Sequence, residues 1–204
     1  MKNMLKDAAI LFVITLIAGC LLGVVYDVTK EPIAKQEKLA WEKACQKVFP
    51  QADEFTKMQE NALTDEMKEA KASVESEYFT TVEEIDEAKK GGTLAGYVLI
   101  VTDHEGYGGD IRMAMGVQLD GTLNGISFLS ISETAGLGMR ADEVLSPQLA
   151  DKKVEKFAYT KTGKTSDNEI DAISGATITT NAVTNGVNGG LSFFRAALEG
   201  GMTE

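Results

Sequence analysis

The sequence predicts an α+β protein in which one N-terminal transmembrane helix precedes an exported domain with an antiparallel sheet and flanking helices. Three observations support this prediction. They are an uncharged apolar run near the N-terminus, apolar segments joined by a hairpin turn signal in the middle, and a helical pattern toward the C-terminus. The 204 residues are 44% hydrophobic and 25% charged, which is typical of a globular chain rather than a disordered one.

The first predicted element is a membrane anchor within residues 1–26. Residues 8–26 carry no charge, and at about 1.5 Å per residue a helix of this length matches the hydrocarbon thickness of a bilayer. Lys2 and Lys6 precede the run, so the positive-inside rule predicts a cytoplasmic N-terminus and a domain on the outer face of the inner membrane. An alternative is a lipoprotein cleaved and lipidated at Cys20, although the apolar residues after Cys20 favour the uncleaved anchor.

Charge and composition exclude several function classes. The net charge is −11, and because residues 1–26 contribute +1 the remainder carries −12, which disfavours nucleic-acid binding. One His and two Cys are too few for a usual zinc cluster or a disulfide framework, and no Ser-His-Asp pattern stands out. We therefore predict no catalytic residue and no metal ligand, and we expect the chemistry to come from a cofactor.

Residues 27–92 are predicted to form a helical, charged connecting region packed on the main domain, residues 93–204. Pro32 is a possible start of a new element, and helical spacing follows over residues 33–49, with Trp41 as an anchor and Cys45 as a buried, inert thiol.

The following segments are assigned in order along the chain. The charged run 83–90 is predicted to be a solvated helical face, after one possible strand at residues 78–82. Strands are predicted at residues 94–101, 111–119 and 123–132, with a hairpin turn at Asp120 and Gly121, and helices at residues 139–150 and 181–198.

The candidate site lies in three glycine-containing segments. Residues 171–177 read Asp-Ala-Ile-Ser-Gly-Ala-Thr and open onto the last predicted helix. Small residues let a ligand approach the backbone and a helix N-terminus suits a phosphate; an ordinary helix cap by Ser174, Thr177 or Thr179 is the alternative.

The other two segments have similar composition. In residues 132–138, Gly136 and Gly138 permit a positive φ or close approach of a ring, and Glu133 or Thr134 can hydrogen-bond to a ring edge. In residues 106–111, Tyr107 can pack beside an aromatic ligand or form a surface turn.

Residues 171–177 match every specified position of the Asp-x-x-(Ser/Thr)-Gly-Ala-Thr flavinylation motif, and the chain thereby resembles the FMN-binding domain family. The resemblance implies that Thr177 carries FMN through a phosphoester bond made by a separate flavin transferase. Residues 132–138 and 106–111 resemble two further segments of that family, although Ala135 replaces a frequent Pro. The implied cofactor-binding residues are Asp171, Ser174, Gly175, Ala176, Tyr107, Gly108, Glu133, Thr134, Gly136, Leu137 and Gly138.

The whole chain resembles the family of G subunits of Rnf complexes, membrane ferredoxin:NAD+ oxidoreductases that couple electron transfer to Na+ or H+ translocation. This resemblance implies an electron-transfer subunit that works with other membrane subunits and is not catalytic alone. The related C subunits of Na+-translocating NADH:quinone reductases are the near alternative. A membrane-tethered structural subunit without cofactor and a stand-alone extracellular flavin carrier are the others.

Overall fold

A computed structural model describes residues 2–199 and divides the chain into two compact units, residues 1–40 and residues 41–204. The first unit consists of most of the long helix α1, Lys2–Val48. Its apolar part is a candidate membrane-spanning helix, and the side chains of residues 8–26 are all exposed. The helix runs through Pro32, where a new element was predicted. Pro32 removes one helical N–H donor, but the turns on both sides stay helical.

The second unit confirms the predicted α+β class with a five-stranded antiparallel sheet in the order β1-β2-β3-β4-β5. A separate pair of short parallel strands, β6 and β7, lies outside this sheet. The elements after α1 are β1 Glu54–Lys57, α2 Asp65–Tyr78, β2 Thr80–Lys90, β3 Thr93–Asp103, β4 Ile111–Gln118, β5 Leu123–Ser130, α3 Ala141–Val144, α4 Ser146–Leu149, β6 Ala158–Thr160, β7 Glu169–Asp171 and α5 Thr177–Ala197.

Both faces of the sheet are covered, and β3 is therefore buried on both sides. Leu99 and Val101 belong to the cluster that includes α2 and α5, whereas Val98 and Ile100 face the cluster formed by the last turns of α1. This double burial explains why β3 is a continuous apolar run rather than an alternating one. Residues 27–92 accordingly supply two strands of the main sheet as well as helices.

One element prediction was wrong, and another was confirmed only in part. The charged run 83–90 is not a helical face but part of β2, where ion pairs with Arg112 and Lys57 hold Glu83 and Glu84. The helix predicted at residues 139–150 is divided into a 3-10 turn and the short helices α3 and α4. Pro147 lies in the first turn of α4 and has no N–H to donate back into α3, so the helical hydrogen bonds are interrupted there.

Helix α5 begins at Thr177, four residues before the predicted start. The Thr180 hydroxyl accepts a hydrogen bond from the Ile173 N–H at 3.1 Å and donates to the Ala176 carbonyl at 2.9 Å, which fixes the turn that leads into the helix. Glycines inside α5 allow close packing on the sheet: a Cβ at Gly190 would collide with the Met115 side chain.

Candidate functional site

A pocket of about 490 Å³ lies at the first turn of α5 and joins the three glycine-containing segments. This volume falls in the usual range of small-molecule sites, about 300–1,000 Å³. Its walls come from the turn after β3, the loop after β5 and the start of α5. The lining residues are Tyr107, Glu133, Thr134, Leu137, Gly138, Gly175, Ala176, Thr177, Ile178 and Thr179.

Thr177 differs from the other threonines near the start of α5. The hydroxyls of Thr179, Thr180 and Thr184 donate to Glu133 Oε2 and to the carbonyls of residues 176 and 180, at 2.6–2.9 Å. These three side chains are buried, whereas Thr177 is half-buried. Among residues 2–199, nothing hydrogen-bonds to the Thr177 hydroxyl, so this hydroxyl is open to react with a ligand in the pocket.

The N-terminus of helix α5 is also a favourable place for an anion to bind. No side-chain cap hydrogen bond closes its N-terminus within the described chain, and its first turn contains no acidic residue. The free N–H groups and the partial positive charge of a 21-residue helix favour a phosphate at this point. The alternative prediction was a helix cap by Ser174, Thr177 or Thr179, and the described residues contain no such cap hydrogen bond.

Glu133 connects residues 106–111 and 132–138 to the first turn of α5. Its Oε1 accepts a hydrogen bond from the Gly108 N–H at 3.1 Å, and its Oε2 accepts one from the Thr179 hydroxyl at 2.8 Å. The side chain is only 9% exposed. Gly138 packs against it closely enough that a Cβ there would lie 2.8 Å from Oε2. The carboxylate therefore holds the pocket walls together.

A tight turn follows Glu133 and shapes the second wall. The Thr134 carbonyl accepts hydrogen bonds from the N–H groups of Leu137 at 3.1 Å and Met139 at 3.2 Å. Gly136 lies in this turn with a φ of +77°, a value that favours glycine. These two bonds constrain the loop that contains Ala135.

Apolar side chains form the mouth of the pocket. Tyr107, Leu137 and Ile178 are 68%, 40% and 52% exposed, and each lines the cavity. Exposed apolar groups beside a few polar ones are typical of sites that bind a flat aromatic ligand. Size, apolar rim, free hydroxyl and open helix end together fit an FMN group.

Four predicted site residues do not line the pocket. The Asp171 carboxylate accepts the Lys164 N–H at 2.8 Å, and the Asp171 backbone N–H donates to Gln148 Oε1 at 2.8 Å, so this residue fixes the loop that precedes α5. Ser174, Gly108 and Gly136 are exposed near the cavity without forming its wall. A direct contact of these four with a flavin stays a prediction.

Sequence reasoning missed Ile178 and Thr179 as site residues. Both belong to the first turn of α5, which was placed four residues too late. Their position one and two residues after Thr177 would have identified them, had the helix start been known. The single histidine, His104, lies between Thr81 and Asp110, 3.0 Å from each.

Two family models match the chain. A model of the FMN-binding domain matches residues 106–192, and a model of the RnfG N-terminal region matches residues 1–48. The first covers all the pocket-lining residues, and the second covers helix α1.

Relatives of known name match over nearly the full chain. The G subunit of the Na+-translocating ferredoxin:NAD+ oxidoreductase complex of Acetobacterium woodii is 33% identical over 92% of this chain and 89% of its own length. The G subunit of the proton-translocating ferredoxin:NAD+ oxidoreductase complex of Clostridium ljungdahlii is 30% identical over 89% of this chain and 90% of its own length. A crystal structure of the C subunit of the Na+-translocating NADH-quinone reductase of Parabacteroides distasonis has 25% identity and a TM-score of 0.51, covering 71% of this chain and 77% of that one.

Proposed function

The chain belongs to the family of G subunits of ion-translocating ferredoxin:NAD+ oxidoreductase (Rnf) complexes, and from this membership we propose that it is a membrane-tethered electron carrier with FMN bonded to Thr177. Family members are subunits of an ion-translocating oxidoreductase, so the chain has a redox role within a larger complex rather than catalysis of its own. The flavin-binding part lies within residues 93–204, which contain every residue that lines the pocket.

The free hydroxyl of Thr177 is the observation that carries the proposal. It lines the pocket at the open end of α5, while the neighbouring threonine hydroxyls are engaged within the protein. In the attachment reaction the hydroxyl loses its proton and its oxygen bonds to the phosphorus of an activated flavin phosphate. The leaving group departs with the electron pair of the bond that breaks, and a flavin transferase provides the active site.

The residues of the pocket have separate tasks in this proposal. Bound FMN would supply the electron-transfer chemistry. The N–H groups at the start of α5 bind the phosphate. Tyr107, Leu137 and Ile178 pack on the apolar part of the ligand and exclude water from it.

Helix α1 gives the site its place in the cell. We propose that residues 8–26 span the inner membrane uncleaved, with the N-terminus in the cytoplasm and the FMN-bearing unit on the outer face. The other membrane subunits of the Rnf complex are the partners for electron transfer. Covalent attachment suits an exported carrier, because a lost flavin could not be recovered from the cytosol.

Thr177→Val tests the attachment. Co-expression of the full-length chain with its flavin transferase, followed by a denaturing gel, is expected to give a fluorescent band for the wild type and none for the variant. Thr177→Ser keeps a hydroxyl and is expected to retain fluorescence, as is Thr93→Val at an exposed position of β3. Fluorescence that survives in Thr177→Val would assign the flavin to another residue.

The alternatives are separated by two further measurements. A structural subunit without cofactor would show no visible flavin absorbance after co-expression with the transferase. A lipoprotein would show an intact mass that corresponds to cleavage before Cys20 and addition of lipid. Membership of the C subunit family is less well supported, because the full-length relatives are named as G subunits.

A further inference from the structure

We infer that the buried carboxylate of Glu133 lowers the reduction potential of the flavin held in this pocket, while its two hydrogen bonds keep the pocket walls in place. The inference rests on the proposed function, because it requires a flavin in the cavity. Its support comes from the charge of Glu133, its burial and its position in the pocket wall.

Two hydrogen bonds hold the Glu133 side chain in a fixed position. One of its oxygens accepts from the Gly108 N–H and the other accepts from the Thr179 hydroxyl. Acceptance at both oxygens suits a carboxylate. The charge of that carboxylate stays at one place in the pocket wall.

Burial makes this charge effective. The side chain is 9% exposed, so water screens its field only weakly. In the part of the chain that the structure describes, no lysine or arginine forms an ion pair with Glu133. Its partners are two neutral donors, which orient the carboxylate and offset its charge only in part.

The charge lies where it acts on the cofactor. Glu133 lines the same cavity as Thr177, so a flavin attached there occupies space next to the carboxylate. Reduction adds negative charge to a flavin, and a nearby fixed anion in a weakly screened site opposes that addition. The consequence is a more negative reduction potential of the flavin.

Glu133→Gln tests the role of the charge, because it removes the carboxylate charge but keeps the size of the side chain. The amide oxygen can still accept from Gly108, and the amide nitrogen can donate to the Thr179 oxygen, so both hydrogen bonds survive. The flavin-loaded full-length protein in detergent is titrated reductively. We expect the variant to melt like the wild type, to carry flavin, and to titrate at a more positive potential. Glu75→Gln on the exposed face of α2 is the charge-matched control and should not shift.

The outcomes distinguish this inference from the proposed function. A wild-type protein without flavin would refute the proposed function before any variant is titrated. A loaded Glu133→Gln protein with the wild-type potential would overturn the inference alone. A folded but flavin-free variant would also overturn it, because the carboxylate would then serve attachment rather than potential.

A second variant covers the case in which Glu133→Gln does not fold. Thr179→Val keeps the charge of Glu133 but removes the hydroxyl that donates to Oε2. With one donor fewer, the carboxylate is less neutralised, and the flavin should titrate at a more negative potential. Thr179→Ser keeps the donor and should match the wild type; an unchanged potential in Thr179→Val would contradict the inference.

Discussion

Gly138 lies in the pocket wall at a position with little room for a side chain. A Cβ there would lie 2.6 Å from Thr179 Oγ1 and 2.7 Å from Glu133 Cβ, so Gly138→Ala must displace the pair that joins the pocket walls. We expect this substitution to reduce the flavin content and to lower the free energy of unfolding by about 1–3 kcal/mol. Flavin absorbance per mole of purified protein and a denaturant titration measure the two effects.

Gly136→Ala provides the comparison for that prediction. Gly136 has a φ of +77°, but a Cβ there would meet nothing within 4 Å. Gly136→Ala should therefore strain the backbone without causing a collision, and should lower the free energy of unfolding by roughly 1 kcal/mol. If Gly138→Ala loads flavin as well as Gly136→Ala does, the close packing around Glu133 is not needed for the site.

Sequence and structure agree at residues whose chemistry is local. Thr177 and Leu137 belong to recognisable segments, and the structure brings these segments to one pocket. The hydrogen bonds of Glu133 could not be derived from sequence, because its partners lie 25 and 46 positions away. The same holds for Asp171, whose carboxylate fixes a loop through the Lys164 N–H.

At the scale of elements, strands with clear alternation or a continuous apolar run were predictable, and β2 was not. A register shift between residues 82 and 84 places one extra residue in β2 and interrupts its alternation. The neighbours Ile85 and Asp86 are both buried, because both faces of the sheet are covered. The charged positions of β2 pair across strands, a partnership that the linear sequence does not display.

Asp86 in β2 makes stability depend on pH. Burial raises its pKa to about 6, mainly by desolvation, although the Trp41 indole N–H donates to Oδ2 at 3.1 Å and opposes the shift. Glu84 adds to the rise and Lys57 reduces it. Its Oδ1 is buried and lacks a hydrogen-bond partner among the described residues. The folded state thus retains a proton between about pH 4 and pH 6 that the unfolded chain has released.

The stability contributed by Asp86 therefore falls as the pH rises through that window and is constant above it. We compare the free energy of unfolding of Asp86→Asn with that of the wild type. The value for the variant minus the value for the wild type should increase by about 1–3 kcal/mol from pH 4.5 to pH 7.5. Denaturant titrations of the full-length protein at both pH values, with Asp65→Asn on α2 as an exposed control, measure this difference. A difference that does not change with pH would contradict the expected role of Asp86.

At the scale of the whole molecule, the basic residues before the apolar run predict the topology. Lys2 and Lys6 precede residues 8–26, and the positive-inside rule then favours a cytoplasmic N-terminus. The native cysteines give a low background for thiol labelling: Cys20 lies in the apolar run, and burial together with the charge of Asp86 raises the pKa of Cys45 to about 12.

Cysteine substitutions test that orientation. In intact cells, a membrane-impermeant maleimide should label Glu69→Cys on the exposed face of α2, and should label Met4→Cys only after permeabilisation. The reverse pattern would place the FMN-bearing unit in the cytoplasm and would refute the proposed topology.

The covalent bond at Thr177 is the central claim, and intact-mass and peptide mass spectrometry of the purified full-length protein test it most directly. After co-expression with a flavin transferase, the protein should gain the mass of one FMN less one water. Fragmentation should place this gain on Thr177 in the peptide that also contains Thr179, Thr180 and Thr184. An unchanged mass, or a flavin located on one of those other threonines, would contradict the account.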